Sequence, residues 1–427
     1  MTSSLIGDLR HRGLVAQATD ESALAAHLDA APRTLYCGFD ASADSLHHAH
    51  LLQIVSLRRF QLAGHRPIAL VGGATGLIGD PSFKSDERVL LERDEVASNA
   101  AAIARQIESY IDFEQSPSAA QGALLVNNLD WTERLDVITF LRDVGKYFSV
   151  NEMMRKESVR ARLEREGAGI SFTEFSYQIL QANDYLELAR RHDCTLQIGG
   201  NDQWGNITAG MDLVRRALGR EAYALTSPLI TKADGTKFGK TETGTIWLAP
   251  ERTSPFAFYQ FWINTADADV GAFLRYFTFL PMEEIETLGE TTREHPEKRE
   301  AQRRLAREMT SFVHGRVGLE AAERITGALF SGAVGDLTES DLAQLAQDGM
   351  EHTTISGEGE PLVNLLACTP VAAARGAARR LVSSGGVSVN AEPVKDVELS
   401  LSKENALFGR YHLLRRGKKS WHLIAWE

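Results

Sequence analysis

Three histidines at the start of a predicted helix are the residues whose types and spacing most clearly indicate chemistry. His47, His48 and His50 follow a strand-like apolar run at Leu35–Phe39 and begin the helical pattern of His47–Ala63. Residues three positions apart share a helix face, and the first turn of a helix offers free backbone N–H groups at the positive end of the helix dipole. This combination favours a polyphosphate ligand. Zinc is the alternative, but it takes three or four ligands and no nearby cysteine or acidic cluster completes the set, so we expect no metal.

A second cationic segment lies far along the chain from the histidines. The sequence KFGKT, at Lys237–Thr241, follows an Asp234-Gly235 turn in a polar, glycine-rich stretch typical of a mobile loop. It resembles part of a P-loop but lacks the spacing of that motif, so by itself it is equally well explained as a solvated turn. Together with the histidines, Lys237 and Lys240 indicate a loop that closes over a leaving pyrophosphate.

Alternating strands and helices must position these groups. The apolar runs predicted to be strands are Leu35–Phe39, Ile68–Val71, Leu124–Asn127 and Thr195–Ile198. Helical patterns such as Arg88–Ile111 separate them, which favours a parallel sheet with right-handed crossovers. Ligands bind at the carboxyl ends of the strands in such sheets, and the turns YCGFD, GGATGLIGDP and QIGGNDQWG all fall there.

The length of 427 residues predicts roughly two or three domains, because it exceeds what one average domain holds. The expected parts are a Rossmann-like α/β catalytic domain at 1–230, a mobile KFGKT loop at 231–245, an α-helical domain at 246–350, a linker at 351–360 and a small α+β domain at 361–427.

Composition indicates an ordinary soluble protein with one basic region. Hydrophobic residues make up 43% and charged residues 24% of the chain. The net charge is −11, yet residues 361–427 contain 10 Lys and Arg against 5 Asp and Glu, which favours a nucleic-acid partner for this part alone. The N-terminus lacks the apolar core of a signal peptide, no run approaches the ~18 apolar residues of a membrane helix, and the three cysteines lack metal-type spacing. We therefore expect a cytoplasmic protein without membrane association or disulfides.

Several segments, in the same order, resemble the bacterial tyrosyl-tRNA synthetases, which are class I aminoacyl-tRNA synthetases. CGFDASADSLHHAH stands where that family has its HIGH signature, and KFGKT stands where it has KMSKS. The segments GGATGLIGDPS, SFTEFSYQILQANDY, LQIGGNDQWGNITAG and TSPFAFYQFWINTADADV are also similar. Near the C-terminus, AARRLVSSGGVSVN and LLRRGKK resemble the S4 type of RNA-binding module. The resemblance implies a ligase that activates L-tyrosine with ATP and transfers it to tRNA.

Carried over position by position, the resemblance assigns the pocket residues. The substrate phenol hydroxyl would be contacted by Tyr36 and Asp184. The ammonium group would be held by Asp80, Tyr177 and Gln181, and the carboxylate would lie near Gln203. Asp40 would lie on the side of the pocket that faces the ammonium group and ATP. The ATP phosphates or the transition state would be contacted by His47, His50, Lys237, Lys240 and Thr241, with Mg²⁺ on the phosphates. Near the ribose, or in the layer of residues behind it, would lie Cys37, Asp202 and Gln197. Arg379, Arg380, Arg415, Arg416, Lys418 and Lys419 would contact RNA.

The residue pattern supports part of this assignment independently. Tyr177, Gln181 and Asp184 are spaced so that they share one helix face, and three polar side chains make a better pocket wall than core. The implied reaction needs no covalent enzyme intermediate. Catalysis should therefore consist of positioning and of stabilising phosphate charge, with His47 and His50 among the expected sources of positive charge.

Two positions depart from the family signature, which has an apolar residue and a glycine between its histidines. This chain has His48 and Ala49 there, and we expect His48 to face solvent. The alternatives that stay open are a class I synthetase for tryptophan, a non-catalytic RNA-binding protein on the same fold, and a nucleotidyltransferase of the same superfamily. The family also implies a homodimer, for which apolar surface around Leu129–Val150 is a candidate, although core burial explains that surface equally well.

Overall fold

The computed structural model describes residues 4–80, 90–114, 121–156, 159–160, 163, 169–233, 235, 238, 244–417 and 420–427, and the backbone of residues 240 and 241. These residues form two compact units. The first unit is Met1–Leu248 with Ala266–Ala301, and the second is Ala249–Thr265 with Gln302–Glu427.

A six-stranded sheet forms the centre of the first unit. Its strands are β1 Gln17–Ala18, β2 Thr34–Asp40, β3 Arg66–Gly72, β4 Leu124–Asn127, β5 Cys194–Gly200 and β6 Tyr223–Ser227. Their order across the sheet is β1-β6-β5-β2-β3-β4, and every pair is parallel except the antiparallel edge pair β1–β6. The four predicted strands and their parallel arrangement are confirmed. The sequence patterns did not indicate β1 or β6.

Helices surround this sheet. Those described in the first unit are α1 Leu5–His11, α2 Glu21–Ala30, α3 His48–Leu62, α4 Thr75–Ile78, α5 Arg93–Glu108, α6 Leu129–Thr132, α7 Val137–Thr139, α8 Val150–Arg155, α9 Phe172–His192, α10 Trp204–Leu218, α12 Asp267–Phe277 and α13 Met282–Glu294. Single turns of 3₁₀ or π-helix add Phe140–Val144, Gly145–Tyr147, Asn201–Gln203 and Pro296–Lys298. Strand β3 is buried from Pro67 to Gly72, because parallel strands covered on both faces are apolar without alternation.

Helices α9 and α10 pack closely because Gly210 leaves no side chain between them. A Cβ at Gly210 would lie 3.1 Å from Tyr185 Cβ and 3.4 Å from Ala182 Cα. Tyr185 and Ala182 belong to the buried cluster under the sheet. The contact fixes the helix that carries Tyr177 and Asp184.

The second unit combines helices with a five-stranded sheet and a separate two-stranded sheet. Its helices are α11 Pro255–Ile263, α14 Glu300–Ser331, α15 Glu339–Gln344, α16 Leu362–Ala367 and α17 Arg375–Ser383. The first two residues of α14, Glu300 and Ala301, belong to the first unit, and the helix is interrupted at Gly315. Its strands are β9 His352–Ile355, β10 Gly359–Pro361, β11 Val387–Val389, β12 Glu392–Val394, β13 Ser400–Ser402, β14 Tyr411–Arg416 and β15 Ser420–Trp426. Helical turns at Val334–Asp336, Leu345–Gly349 and Lys403–Asn405 complete it, and β7 Lys240–Thr241 with β8 Gly244–Thr245 forms a separate hairpin in the first unit.

The order of the five-stranded sheet is β12-β11-β14-β15-β9. Strand β9, which lies inside the segment expected to be a linker, pairs in parallel with β15. Alternate residues of β14 enter different cores: Leu413 packs with Phe256 and Ile325 of the helices, and Leu414 packs with the C-terminal helices. The predicted succession of α/β, helical and small α+β parts is confirmed as a fold class, and the helices and C-terminal sheet share a core.

No helix among the described residues is both long and apolar enough to cross a membrane.

A pair of glycine substitutions tests the packing of α9 on α10. Gly210→Ala should lower the free energy of unfolding by about 1–3 kcal/mol, because the added methyl group overpacks against Tyr185 and the helix backbone. Gly289→Ala, in an open position of α13, should instead raise it by about 0.5–1 kcal/mol through helix propensity. Thermal and urea unfolding measure both changes. Equal stability of the two variants would contradict the packing described.

Candidate active site

Helix α9 carries a buried carboxylate, Asp184, which two side chains from the segment after β4 contact. Asp184 is 2% exposed, and its two carboxyl oxygens accept hydrogen bonds from Asn128 Nδ2 and Trp131 Nε1, each at 2.9 Å. Burial raises the pKa of Asp184 to about 7, although both hydrogen bonds oppose this change. The two donors fix the orientation of the carboxyl group.

Tyr36, on β2, lies close enough to Asp184 for the two groups to interact electrostatically. Its ring meets Tyr185 edge to face with centroids 5.3 Å apart, and only 1% of the residue is exposed. Burial, and then the charge of Asp184, raise the pKa of Tyr36 well above its ordinary value, so the hydroxyl keeps its proton. This hydroxyl has no hydrogen-bond partner among the described residues. A buried hydroxyl of this kind is costly unless a polar ligand satisfies it.

Two buried amide oxygens on neighbouring elements also lack a hydrogen-bond partner among the described residues. They are Gln181 Oε1 and Gln197 Oε1. Gln181 is one turn before Asp184 on α9, and Gln197 is in β5 beside the strand that carries Tyr36. Three unsatisfied polar atoms on adjoining elements therefore indicate a site for a polar molecule.

A second carboxylate lies further along β2, at its end. Asp40 Oδ2 accepts from the Tyr177 hydroxyl at 2.8 Å, and Asp40 Oδ1 accepts from Thr75 Oγ1 at 2.8 Å. Thr75 Oγ1 in turn accepts from Asn128 Nδ2 at 3.1 Å. A hydrogen-bond network therefore runs from Tyr177 through Asp40 and Asn128 to Asp184. Gly72 is required beside it, because a Cβ there would collide with Asp40 and Thr75.

A third acidic group completes this side of the site. Asp80 Oδ2 accepts from Gln203 Nε2 at 2.7 Å, and Gln203 Oε1 accepts from Asn206 Nδ2 at 3.1 Å. Asp202 precedes Gln203 in the same helical turn; burial first, and then the charge of Asp80, raise its pKa. The acidic groups provide a site with negative charge suited to an ammonium group.

Cys37 is also buried on β2, with 3% exposed. Burial raises the pKa of its thiol to about 12, so the group is a neutral thiol at physiological pH.

The histidines at the start of α3 cap their own helix. His47 Nδ1 accepts from the N–H of Ala49, and His50 Nδ1 accepts from the N–H of His47, both at 3.2 Å. The two rings stack with centroids 4.0 Å apart. Because both Nδ1 atoms accept, the proton of each neutral ring lies on Nε2, so each histidine offers one ring N–H donor.

This arrangement corrects two expectations. The first-turn backbone N–H groups are not free: His48 N–H donates to Ile246 O at 2.9 Å, Ala49 N–H to His47, and His50 N–H to His47 O at 2.8 Å. His50 is also not a source of positive charge, since burial, with repulsion from His47 and His48, lowers its pKa well below the ordinary value. The sequence did not reveal the cap because histidine is an uncommon capping residue.

The expectation that His48 faces solvent is wrong. The residue is 7% exposed, and its ring nitrogens lie beside the carbonyl oxygens of Phe238 and Ile246. Burial lowers its pKa, and the two carbonyl contacts oppose this.

The KFGKT segment is described only in part. Lys237 lies outside the described residues, as do the side chains of Lys240 and Thr241. The backbone of Lys240–Thr241 pairs with Gly244–Thr245. Near the start of the loop, the N–H of Ala233 donates to Asp269 Oδ1 at 2.7 Å, which fixes the first part of the loop to α12.

The basic residues expected to contact RNA lie in the second unit. Arg379 and Arg380 are exposed on α17, and Arg379 pairs with Glu398 at 3.2 Å. Arg415 lies over the ring of Trp421, and Arg416 Nη1 donates to Val371 O at 2.9 Å.

Lys418 and Lys419 lie outside the described residues. Among the residues that are described, no group of three His, Cys, Asp or Glu side chains is placed to hold a metal ion.

Sequence reasoning missed Thr75, Asn128 and Trp131. A signal was present, because NLDW, residues 128–131, directly follows β4 and so falls at the ligand-binding edge of the sheet. Nothing in the pattern, however, indicated that Asn128 and Trp131 meet a carboxylate on α9.

This fold and site define a class I aminoacyl-tRNA synthetase. The profile of the family described as tRNA synthetases class I (W and Y) matches residues 29–331. A second profile, described as the tyrosine–tRNA ligase SYY-like C-terminal domain, matches residues 341–424.

Comparison with individual proteins distinguishes the tyrosine enzymes from the tryptophan enzymes of this family. The chain is 55% identical to a tyrosine–tRNA ligase of Yersinia enterocolitica over 100% of both chains, and 53% identical to one of Aliivibrio salmonicida over 100% of this chain and 99% of the other. A crystal structure of a C-terminally truncated mitochondrial tyrosyl-tRNA synthetase from Aspergillus nidulans is similar with a TM-score of 0.69 and 30% identity, over 77% of this chain and 94% of that one. The chain belongs to the tyrosyl-tRNA synthetase family of class I.

The raised pKa of Asp184 predicts a dependence of stability on pH. In the unfolded chain this carboxyl has its ordinary pKa of 3.8, and in the folded protein the pKa is about 7. Between these values the folded state binds the additional proton, so raising the pH from about 4 to about 8 should lower the free energy of unfolding, by up to roughly 4 kcal/mol from this group. Asp184→Asn removes the titrating group. The melting temperature of the ligand-free variant should therefore rise relative to that of the unchanged protein as the pH increases, and a constant difference would show that Asp184 does not titrate in this way.

Proposed function

We propose that this protein is a tyrosine–tRNA ligase that uses Tyr36 and Asp184 to recognise the phenol hydroxyl of its substrate. The unsatisfied Tyr36 hydroxyl beside the buried Asp184 carboxyl is the observation that carries the proposal. A phenol hydroxyl can donate to the carboxylate and accept from Tyr36, so it satisfies both groups. An indole N–H provides a donor only, which disfavours tryptophan.

The other end of the amino acid fits the acidic side of the site. Asp80, Tyr177 and Gln181 would hold the ammonium group, with Asp40 beside it. Gln181 Oε1 is an unsatisfied acceptor, and Tyr177 already donates its proton to Asp40, which leaves its oxygen able to accept from an ammonium N–H. Gln203, held by Asp80, would lie near the substrate carboxylate. Gln197 would contribute its free acceptor beside the ribose or behind it.

Activation then joins the substrate carboxylate to the α-phosphorus of ATP, and pyrophosphate leaves. His47 and His50 would donate Nε2–H to the phosphates as neutral rings. Lys237, Lys240 and Thr241 would act from the loop, where the lysines supply the positive charge. Cys37 and Asp202 would lie near the ribose. ATP enters as its Mg²⁺ complex, so the metal arrives with the substrate. Positioning and charge stabilisation suffice for this reaction.

In the second step, a ribose hydroxyl at the 3′ end of the tRNA attacks the activated carbonyl and AMP leaves. Arg379, Arg380, Arg415, Arg416, Lys418 and Lys419 would contact the tRNA backbone. The excess of Lys and Arg over Asp and Glu in residues 361–427 supports this assignment. We place the enzyme in the cytoplasm, because its substrates tRNA and ATP are found there.

We further propose a homodimer formed through an apolar surface near β4. Val137, Ile138, Leu141 and Val150 are 54–70% exposed, and these residues fall in the segment for which a dimer interface was expected. Exposed apolar side chains in such a group indicate an interaction surface.

Tyr36→Phe tests the recognition of tyrosine. It should lower kcat/KM for tyrosine in ATP–pyrophosphate exchange by roughly 10-fold, because one hydrogen bond to the phenol oxygen is lost. The value for phenylalanine should hardly change. Tyr110→Phe removes a hydroxyl from another buried tyrosine of the same unit and serves as the control. Exchange that is fast with tryptophan and slow with tyrosine in the unchanged protein would contradict the proposed substrate.

The double substitution Ile138→Glu, Leu141→Glu tests the dimer. In sedimentation, the unchanged protein should be a dimer and the double variant a monomer, because burying unpaired carboxylates at the contact is costly. Phe330→Glu, at a residue 93% exposed in the second unit, is the matched control and should leave a dimer. A monomeric unchanged protein would overturn the proposal.

A further inference from the structure

His48, the residue that departs from the family signature, makes a side-chain contact with the KFGKT segment. Its Nε2 lies 3.0 Å from the carbonyl oxygen of Phe238, and its Nδ1 lies 3.3 Å from the carbonyl oxygen of Ile246. Both carbonyls come from the segment that forms and follows the loop, and His48 comes from the first turn of α3.

The backbone already accounts for one of these two connections. Residue 47 forms an antiparallel bridge with Trp247, His48 N–H donates to Ile246 O, and Leu248 N–H donates to Leu46 O. Any residue at position 48 would keep these bonds. The contact with Phe238, in contrast, depends on the side chain alone.

Phe238 is a residue at which the loop is anchored. It is 8% exposed, and its ring packs against Phe273, Phe277 and His48 with centroids 4.8, 5.5 and 5.3 Å away. In the sequence it directly follows Lys237 and precedes Lys240 by two residues. Holding its carbonyl and its ring therefore restrains the chain at position 238, which lies between the two lysines in sequence.

The proton of His48 belongs on Nε2. Burial favours the neutral ring, which has a single N–H. The carbonyl of Ile246 already accepts the backbone N–H of His48, while Nε2 makes the shorter contact with Phe238. An apolar residue at position 48 would leave the Phe238 carbonyl without this donor.

We propose that His48 is a positioning residue that holds the KFGKT segment against the start of α3 by donating its Nε2–H to the carbonyl of Phe238. The consequence for catalysis rests on the proposed role of Lys237 and Lys240 in ATP activation. The restraint itself can be measured without any catalytic turnover.

Limited proteolysis by trypsin measures the restraint, because the segment contains Lys232, Lys237 and Lys240. His48→Leu should increase the rate of cleavage within residues 232–240 by roughly 5- to 10-fold in the ligand-free full chain, which corresponds to the loss of one hydrogen bond. His65→Leu is the control. His65 is also buried and accepts a backbone N–H, from Arg33, at a distance from the loop in sequence, so its cleavage rate should match that of the unchanged protein.

A second pair of variants decides the question if His48→Leu does not fold. Glutamine can reach the Phe238 carbonyl with its amide N–H, whereas asparagine is one methylene shorter. His48→Gln should keep the loop resistant, and His48→Asn should not. Equal cleavage rates in these two variants, or in a folded His48→Leu variant and the unchanged protein, would overturn the proposal.

Single-turnover kinetics connect the restraint to the reaction. With the loop less restrained, the KM for ATP in adenylate formation should rise by roughly 5-fold, while the Kd for tyrosine stays unchanged. A chain that does not activate tyrosine at all would refute the proposed function and leave the proteolysis result standing. Faster cleavage with unaltered ATP kinetics would limit the role of His48 to the ligand-free loop and contradict its positioning role in activation.

Discussion

The geometry of the pocket depends on the orientation of one buried carboxyl group. Asp184 is only 2% exposed, and Asn128 and Trp131 stabilise its charge by donating to its two oxygens. The same Asn128 donates to Thr75, which donates to Asp40. The carboxylates of Asp184 and Asp40 are therefore oriented by a single hydrogen-bond network. The strands and α9 bring the members of this network together.

The protein accepts a cost in stability for this arrangement. The Tyr36 hydroxyl and the amide oxygens of Gln181 and Gln197 are buried without partners among the described residues, and the pKa of Asp184 is raised by burial. Each feature destabilises the ligand-free protein and is relieved by a polar ligand. Selectivity and instability thus have one origin: groups that a tyrosine hydroxyl would satisfy are left unsatisfied when it is absent.

Local sequence patterns were sufficient for the four central strands and for their parallel arrangement. The four central strands are apolar runs that alternate with helices, and the polar residues at their carboxyl ends fall in the site, as expected for a parallel sheet. The short edge strand at Gln17–Ala18 could not be predicted, because two residues carry no period and are held by their pairing with β6. The orientation of Asp184 by Asn128 and Trp131 is likewise a tertiary feature without a local signal.

The histidine cluster shows the same limit within a single motif. Spacing correctly placed His47 and His50 at the start of a helix. It could not show that their Nδ1 atoms cap that helix, or that burial keeps His50 neutral. His48 appeared polar and therefore solvent-facing, but the chain returning after the loop covers it. Partners that arrive from nearly two hundred residues away in sequence decide what each histidine does.

The most direct measurement of the central claim is calorimetric titration of the ligand-free protein with L-tyrosine and with L-phenylalanine, without ATP. If Tyr36 and the oriented Asp184 bind a phenol hydroxyl, tyrosine should bind roughly 100-fold more tightly than phenylalanine, because phenylalanine leaves both buried hydrogen-bonding groups unsatisfied. Equal dissociation constants for the two amino acids would contradict the account.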